Sequence, residues 1–125
     1  MTKDSTRNIG AKGEDIVAEY LMQKGWRILE RNFYTRIGEV DIIAVDYGAL
    51  VPNLVFIEVK FRTSNKFGDG IEQFTRQKRL RVKKTSLHFL KRQTVAHNFG
   101  KIRFDFITVT QTSDGKFHMK HFKNI

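Results

Sequence analysis

The sequence predicts a single α/β (α+β) domain in which helices flank a mixed central sheet, with elements in the order α-β-β-β-α-β-β. Three observations point there. The chain has 125 residues, the common size of one domain. Two helical segments are interspersed among five strand-like runs, with no repeat or Pro/Gly/Ser-rich linker to divide them. The second and third strand runs are apolar nearly throughout, the pattern of central strands covered on both faces.

The elements follow in order. Residues 10–24 read as a helix, because Ile16, Val17, Tyr20 and Leu21 share one face while Asp15, Glu19 and Gln23 lie elsewhere. Gly25 ends it as a C′ residue. Residues 1–8 are expected to be flexible within the one domain, 1–125. Residues 26–33 (WRILERNF) form the first strand, 35–38 a turn and 39–46 (EVDIIAVD) the second strand. Gly48, Pro52 and Asn53 mark the connection to a third strand, 54–61 (LVFIEVKF). Residues 62–72 hold Gly68 and Gly70 without periodicity and read as a loop. The second helix, 75–90, places Leu80, Leu87 and Leu90, with Val82 and Phe89 nearby, on an irregular apolar face. Residues 102–110 (IRFDFITVT) alternate as a strand, Ser113-Asp114-Gly115 is a hairpin turn, and 116–122 form an edge strand.

Composition narrows the function classes. There is no Cys, which removes disulfides, thiolate metal sites and Cys nucleophiles together. No apolar run approaches the ~18 residues of a membrane span, and residues 1–10 lack a signal-peptide core, so the cytoplasm is the expected compartment and no membrane partner is expected. Lys and Arg number 23 against 13 Asp and Glu, a formal charge of +10. A small domain so charged attracts polyanions, with nucleic acid first among them.

Charged residues interrupt the two buried strands at Asp41, Glu58 and Lys60. Such groups are rarely buried unless paired or bound to a metal. If 47–52 is the loop, Asp46 faces Asn53, Asp41 lies opposite Glu58 and Glu39 opposite Lys60. Two carboxylates directly opposite repel. Either one is protonated with a raised pKa, or a cation sits between them. All-oxygen donors favour Mg²⁺ or Mn²⁺. Taken alone, Glu-x-Lys in a strand is more often a salt-bridged surface face, with Lys60 neutralising Glu39 or Glu58; Asp41 at the partner position is what shifts the balance.

Gly38-Glu39-Val40-Asp41 followed by Glu58-Val59-Lys60 resembles the acid…Glu-x-Lys core of the PD-(D/E)xK nuclease superfamily. More closely, the chain resembles the YraN family, a widespread bacterial group. Gly10-x-x-Gly13-Glu14, Tyr20-Leu21, Gly25, Arg31-Asn32, Phe56-Ile57, Lys78 and Arg103-Phe104-Asp105 carry that likeness, which spans roughly residues 10–122. The family is similar in fold to archaeal Holliday-junction resolvases, which cut branched DNA as dimers. The resemblance implies a restriction-endonuclease-like fold and a Mg²⁺- or Mn²⁺-dependent endonuclease acting on DNA, with branched or single-stranded structures among its substrates and a homodimer by analogy. It implies that Asp41, Glu58 and the Val59 carbonyl bind the ion, that Glu14 reaches the same ion through water, and that Lys60 orients the attacking water. Glu39 matches the motif without an assigned catalytic role; it is a candidate orienting partner for Lys60. Val40 stands where the superfamily's name has Pro.

Residues 76–92 carry eight basic side chains and no acidic one. An isolated basic run is usually a solvated face. This one lacks the interleaved acids of a salt-bridged helix and follows the loop just after Lys60. Arg62, Arg76, Lys78, Arg79, Arg81, Lys83 and Lys84 are therefore expected to contact the phosphate backbone, independently of base sequence. Lys78, which matches a family position, is expected to face the scissile phosphate. In the loop 62–74, Phe67 or Phe74 could stack on an unpaired base, although a place in the core or a dimer interface is the stronger expectation. His88, His97, His118 and His121 make no defensible metal site, and neither a P-loop nor a Gly-x-Ser-x-Gly elbow occurs. The alternative function is a nucleic-acid-binding protein that keeps the nuclease fold without cleavage. A less favoured third is a scaffold for an acidic protein partner.

Overall fold

The expected elements form in the expected order in a computed structural model. It describes residues 3–63, 70–92 and 99–125, with side chains from Lys12 onward. They are α1 (Lys3–Gln23), β1 (Arg27–Tyr34), β2 (Glu39–Asp46), β3 (Asn53–Arg62), a 3-10 turn (Ile71–Gln73), α2 (Arg76–Arg92), β4 (Ile102–Gln111) and β5 (Phe117–Phe122). The first helix begins at Lys3, ahead of the Gly10 start that periodicity suggests. Its added turns, KDSTRNI, are almost wholly polar, so no apolar stripe announces them. At its other end Gly25 has φ +85°. There Trp26 N donates to Leu21 O and Gly25 N to Met22 O, both at 3.0 Å. That is a Schellman motif, which turns the chain out of the helix and into β1.

The sheet has the order β1-β2-β3-β4-β5. Neighbours are antiparallel except β3 and β4, which run parallel and are joined through α2. One helix covers each face. Val17, Ala18 and Leu21 of α1, with Trp26, pack on Ile42, Ala44, Val55, Ile57, Ile107 and Val109. Val82 and Phe89 of α2 pack on Ile43, Leu54, Phe56 and Phe106. Leu54 through Ile57 are consequently buried on both sides of the sheet, which is why their run shows no polar alternation. Phe74 joins the second core, stacked on Phe106 at 4.8 Å between ring centres, so it is a core residue and no stacking platform. Lys66 and Phe67 lie outside the described residues. No helix among the described residues is long and apolar enough to cross a membrane.

Gly13 sets the approach of α1 to the sheet. A Cβ there would lie 2.9 Å from Phe61 Cδ2 and 3.0 Å from Phe61 Cβ, closer than packed carbons come. Gly13→Ala gains ~1 kcal/mol of helix propensity. It must also push α1 away from β3, and overpacking of this kind costs ~1–3 kcal/mol. A lower urea midpoint is expected, together with a displaced Glu14, the next residue of the helix.

Candidate active site

The β2–β3 pairing has the register inferred from the loop. Asp46 pairs with Asn53, and the ladder runs from there to Ile42 with Ile57. Asp41 and Glu58 are the next residues along. Here Val59 N donates to Asp41 Oδ2 at 2.7 Å, so a side chain takes up a strand N–H where the ladder ends. Strict alternation would put Val40 and Ile42 on one face. Instead Val40 packs with the α2 core and Ile42 with the α1 core, so β2 rotates at Asp41. The partner strand turns at the same level. Asn32 of β1 has φ +55°, while Arg31 pairs with Ile42 and Phe33 with Val40.

That rotation opens the end of the sheet to both layers. A cleft of about 220 Å³ is lined by Ile37, Gly38, Glu39, Asp41 and Glu58 from the strand side and by Lys78, Arg81 and Val82 from α2. Glu14 of α1 stands beside Asp41, near enough for their charges to interact. Burial, then the Glu58 charge, pushes the Asp41 carboxyl up to about 9. Glu58, hydrogen-bonded to Asp41, is also raised, chiefly by burial, against the pull of the Lys78 ammonium. Burial and then the Asp41 charge push Glu14 up to about 7. Both carboxyls are raised together and titrate as a pair, as closely spaced carboxylates do. Among the described residues no three acidic or His side chains already surround a single point, since Asp41 is engaged with Glu58 and with the Val59 N–H. The donor chemistry is nonetheless all oxygen, and carboxyls that give up their protons to a cation suit a hard divalent ion.

Lys60 is exposed and stands one pleat beyond Glu58, outside the lining of the cleft. Lys78, which does line the cleft, is a cation whose charge acts on Glu58. Along α2, Arg76, Lys78, Arg81, Lys83 and Lys84 are exposed. Arg79 is half-buried, its Nε donating to Phe74 O at 3.1 Å and its guanidinium lying over the Phe74 ring. Arg62, expected to meet phosphate, is instead buried: its Nη1 fills the space that a Cβ on Gly70 would take. It is the last residue of β3 and points inward on the side that carries Leu54 and Phe56, so it offers no surface charge.

The family model described as "Uncharacterised protein family UPF0102" matches residues 13–109. A UPF0102 protein of Alkaliphilus oremlandii is 37% identical over 94% of this chain and 97% of its own length. One of Syntrophomonas wolfei is 39% identical over 94% and 96%, and one of Dictyoglomus thermophilum 40% identical over 90% of both chains. The chain belongs to the UPF0102 (YraN) family. The UPF0102 match begins at Gly13 and runs almost to the end of β4, so it contains Glu14, Asn32, every residue that lines the cleft, and Lys60.

Two side-chain arrangements of this UPF0102 chain escape a reading by charge and spacing. Oriented as its surroundings require, the Asn32 amide donates from Nδ2 to Glu14 Oε1 at 2.7 Å and to Glu39 Oε1 at 3.1 Å. Glu39 thus has Asn32 as its partner, where Lys60 was the candidate. The second arrangement is an ionic network at the far end of β2. Arg103 donates to Asp46 Oδ2 at 3.0 Å and grips Asp105 with Nε at 3.0 Å and Nη2 at 2.9 Å. His121 Nε2 lies 2.7 Å from the fully buried Asp105 carboxylate, which also accepts from Asn124 N. The Asp105 carboxyl is lowered: its hydrogen bonds to His121 and Arg103 outweigh the opposing effect of burial. A cavity of about 560 Å³ beside this network is lined by Lys24, Trp26, Tyr47, Asn53, Arg103 and Lys123, among others. Its guanidinium is already neutralised by two aspartates, so it is a weaker candidate for chemistry than the smaller cleft.

Proposed function

We propose that the chain is a divalent-metal-dependent nuclease that hydrolyses phosphodiester bonds in DNA. The observation that carries this reading is the cleft in which the side chains of Asp41 and Glu58 meet, with Glu14 and Glu39 beside them and Lys78 and Arg81 on the facing helix. Gathered carboxylates oppose folding unless protonated or neutralised by a cation, and neighbouring cationic side chains favour a phosphate ester. Asp41, Glu58 and the Val59 carbonyl would hold Mg²⁺ or Mn²⁺, with Glu14 engaging through water. The ion, when bound, supplies Lewis acidity and a water acidic enough to attack at neutral pH. Lys78 and Arg81 bind the non-bridging phosphate oxygens, and Lys60 orients the attacking water from the open edge. Exposed Arg76, Lys83 and Lys84 add to the positive field of α2 and attract the strand by its backbone.

The test is nicking of branched, duplex and single-stranded DNA by purified protein with Mg²⁺ or Mn²⁺. Chelator-sensitive cutting is expected, and Asp41→Asn and Lys60→Ala are expected to lose it. Equal cutting by both variants would refute the assignment. Binding should weaken steeply with salt, and Lys83→Ala with Lys84→Ala should reduce the slope of log K against log salt by about 1 per residue, with metal affinity unchanged.

A second reading draws on Lys60 standing outside the cleft: a DNA-binding protein that keeps the fold without cleavage. It predicts DNA affinity with neither metal binding nor cutting.

A further inference from the structure

Asn32 holds a conformation that its backbone does not favour. Its φ is +55°, inside strand β1. Asparagine tolerates this region better than most residues, but glycine does so at least cost. What asparagine adds over glycine is the amide. Its two hydrogens go to two carboxylates of different elements, Glu14 of α1 and Glu39 of β2. When ionised, both act against the charge of Asp41 and against one another. A neutral double donor between them offsets that repulsion without removing either charge. Its neighbour Arg31 donates to Asp15 at 2.7 Å, so consecutive residues of β1 grip consecutive acids of α1. The same left-handed turn lies level with the point where β2 rotates at Asp41.

We infer that Asn32 is a positioning residue for the carboxylate site: its amide holds Glu14 and Glu39 toward Asp41 and Glu58, so that the acids act on one divalent cation. The inference rests on the metal-dependent reading above and gives that site a residue which touches neither ion nor substrate. It also assigns Glu39 a place in the site. Groups that orient ligands in this manner typically cost 10–100-fold in metal affinity when removed.

Asn32→Gly separates this role from a merely structural one, because glycine keeps the left-handed backbone and deletes the amide. Mn²⁺ titration by calorimetry, with melting curves on the same samples, should give ~10-fold weaker binding while the melting temperature falls by no more than a few degrees, since glycine relieves the backbone as it removes the amide. In a Glu14→Gln, Glu39→Gln background, Asn32→Gly should cost nothing further, since the groups it holds no longer carry charge. Unchanged Mn²⁺ affinity in Asn32→Gly would overturn the inference and leave the metal site standing. So would an affinity loss that persists in full in the double-Gln background. A wild type that binds no Mn²⁺ would overturn both.

Discussion

At about pH 8 the Asp41→Asn variant is expected to melt higher than the wild type in the absence of metal while cutting no DNA. The reason lies in the sign of the linkage. An unfolded Asp or Glu titrates near 4, whereas folded Glu14 is raised to about 7 and Asp41 to about 9. Between those limits the folded state holds more protons than the unfolded one, so stability falls as pH rises. Wild-type stability should therefore decline from about pH 5 toward pH 9, through the range these shifts define. Asparagine cannot ionise, its carbonyl can still accept from Val59 N, and its amide can donate to Glu58. The variant should gain about 1–2 kcal/mol at the alkaline end and lose much of the pH slope. Adding Mg²⁺ or Mn²⁺ should raise the wild-type melting temperature and leave the variant's unchanged, because only the form that binds ligand gains from it. A variant that melts lower than wild type at every pH would show that Asp41 is a structural acid.

Arg103→Ala is expected to be the most destabilising single substitution outside the hydrophobic core. Asp105 is fully buried, and Arg103 supplies two of its charge-assisted hydrogen bonds while also closing on Asp46. Breaking a buried pair by removing one partner typically costs ~3–5 kcal/mol, since the other charge stays desolvated. Arg103→Lys should recover only part of this, lacking the planar fork. Asp46 and Asp105 are both held below their ordinary values. Their contribution is thus present above about pH 4 and lost as pH falls through the lower folded values, so the wild type should unfold in acid. The variant should show a much smaller acid-dependent loss. Denaturant unfolding across pH checks both points, and an unfolding free energy within ~0.5 kcal/mol of wild type would contradict them.

Much of this fold follows from local pattern, and the exceptions have physical causes. The Asp46–Asn53 register came from the turn residues between two uniformly apolar strands, because loop geometry fixes pairing. The start of α1 was hidden because a polar turn carries no apolar stripe. The burial of Arg62 was not legible: alternation puts it on the side of Leu54 and Phe56, but the same side carries exposed Lys60 one pleat earlier. The same period places Arg103 and Asp105 with buried Ile107 and Val109, an i, i+2 pair of opposite charges on an apolar face. The candidate site was legible in its acids and in Lys78. The rotation at Asp41 and the left-handed Asn32 were not, since an asparagine between charged and apolar neighbours reads as an ordinary exposed position of a strand. That rotation also leaves Asp41 between Glu14 of one layer, whose charge it feels, and the cleft that Lys78 of the other layer lines.

The most direct test of the central claim is a crystal soaked in Mn²⁺ near neutral pH and measured for anomalous scattering. The account predicts a peak between β2 and β3, within ~2.5 Å of carboxylate oxygens of Asp41 and Glu58, and no such peak in Glu58→Gln. A soaked wild-type crystal with no peak there, the two acids still hydrogen-bonded to each other, would contradict it.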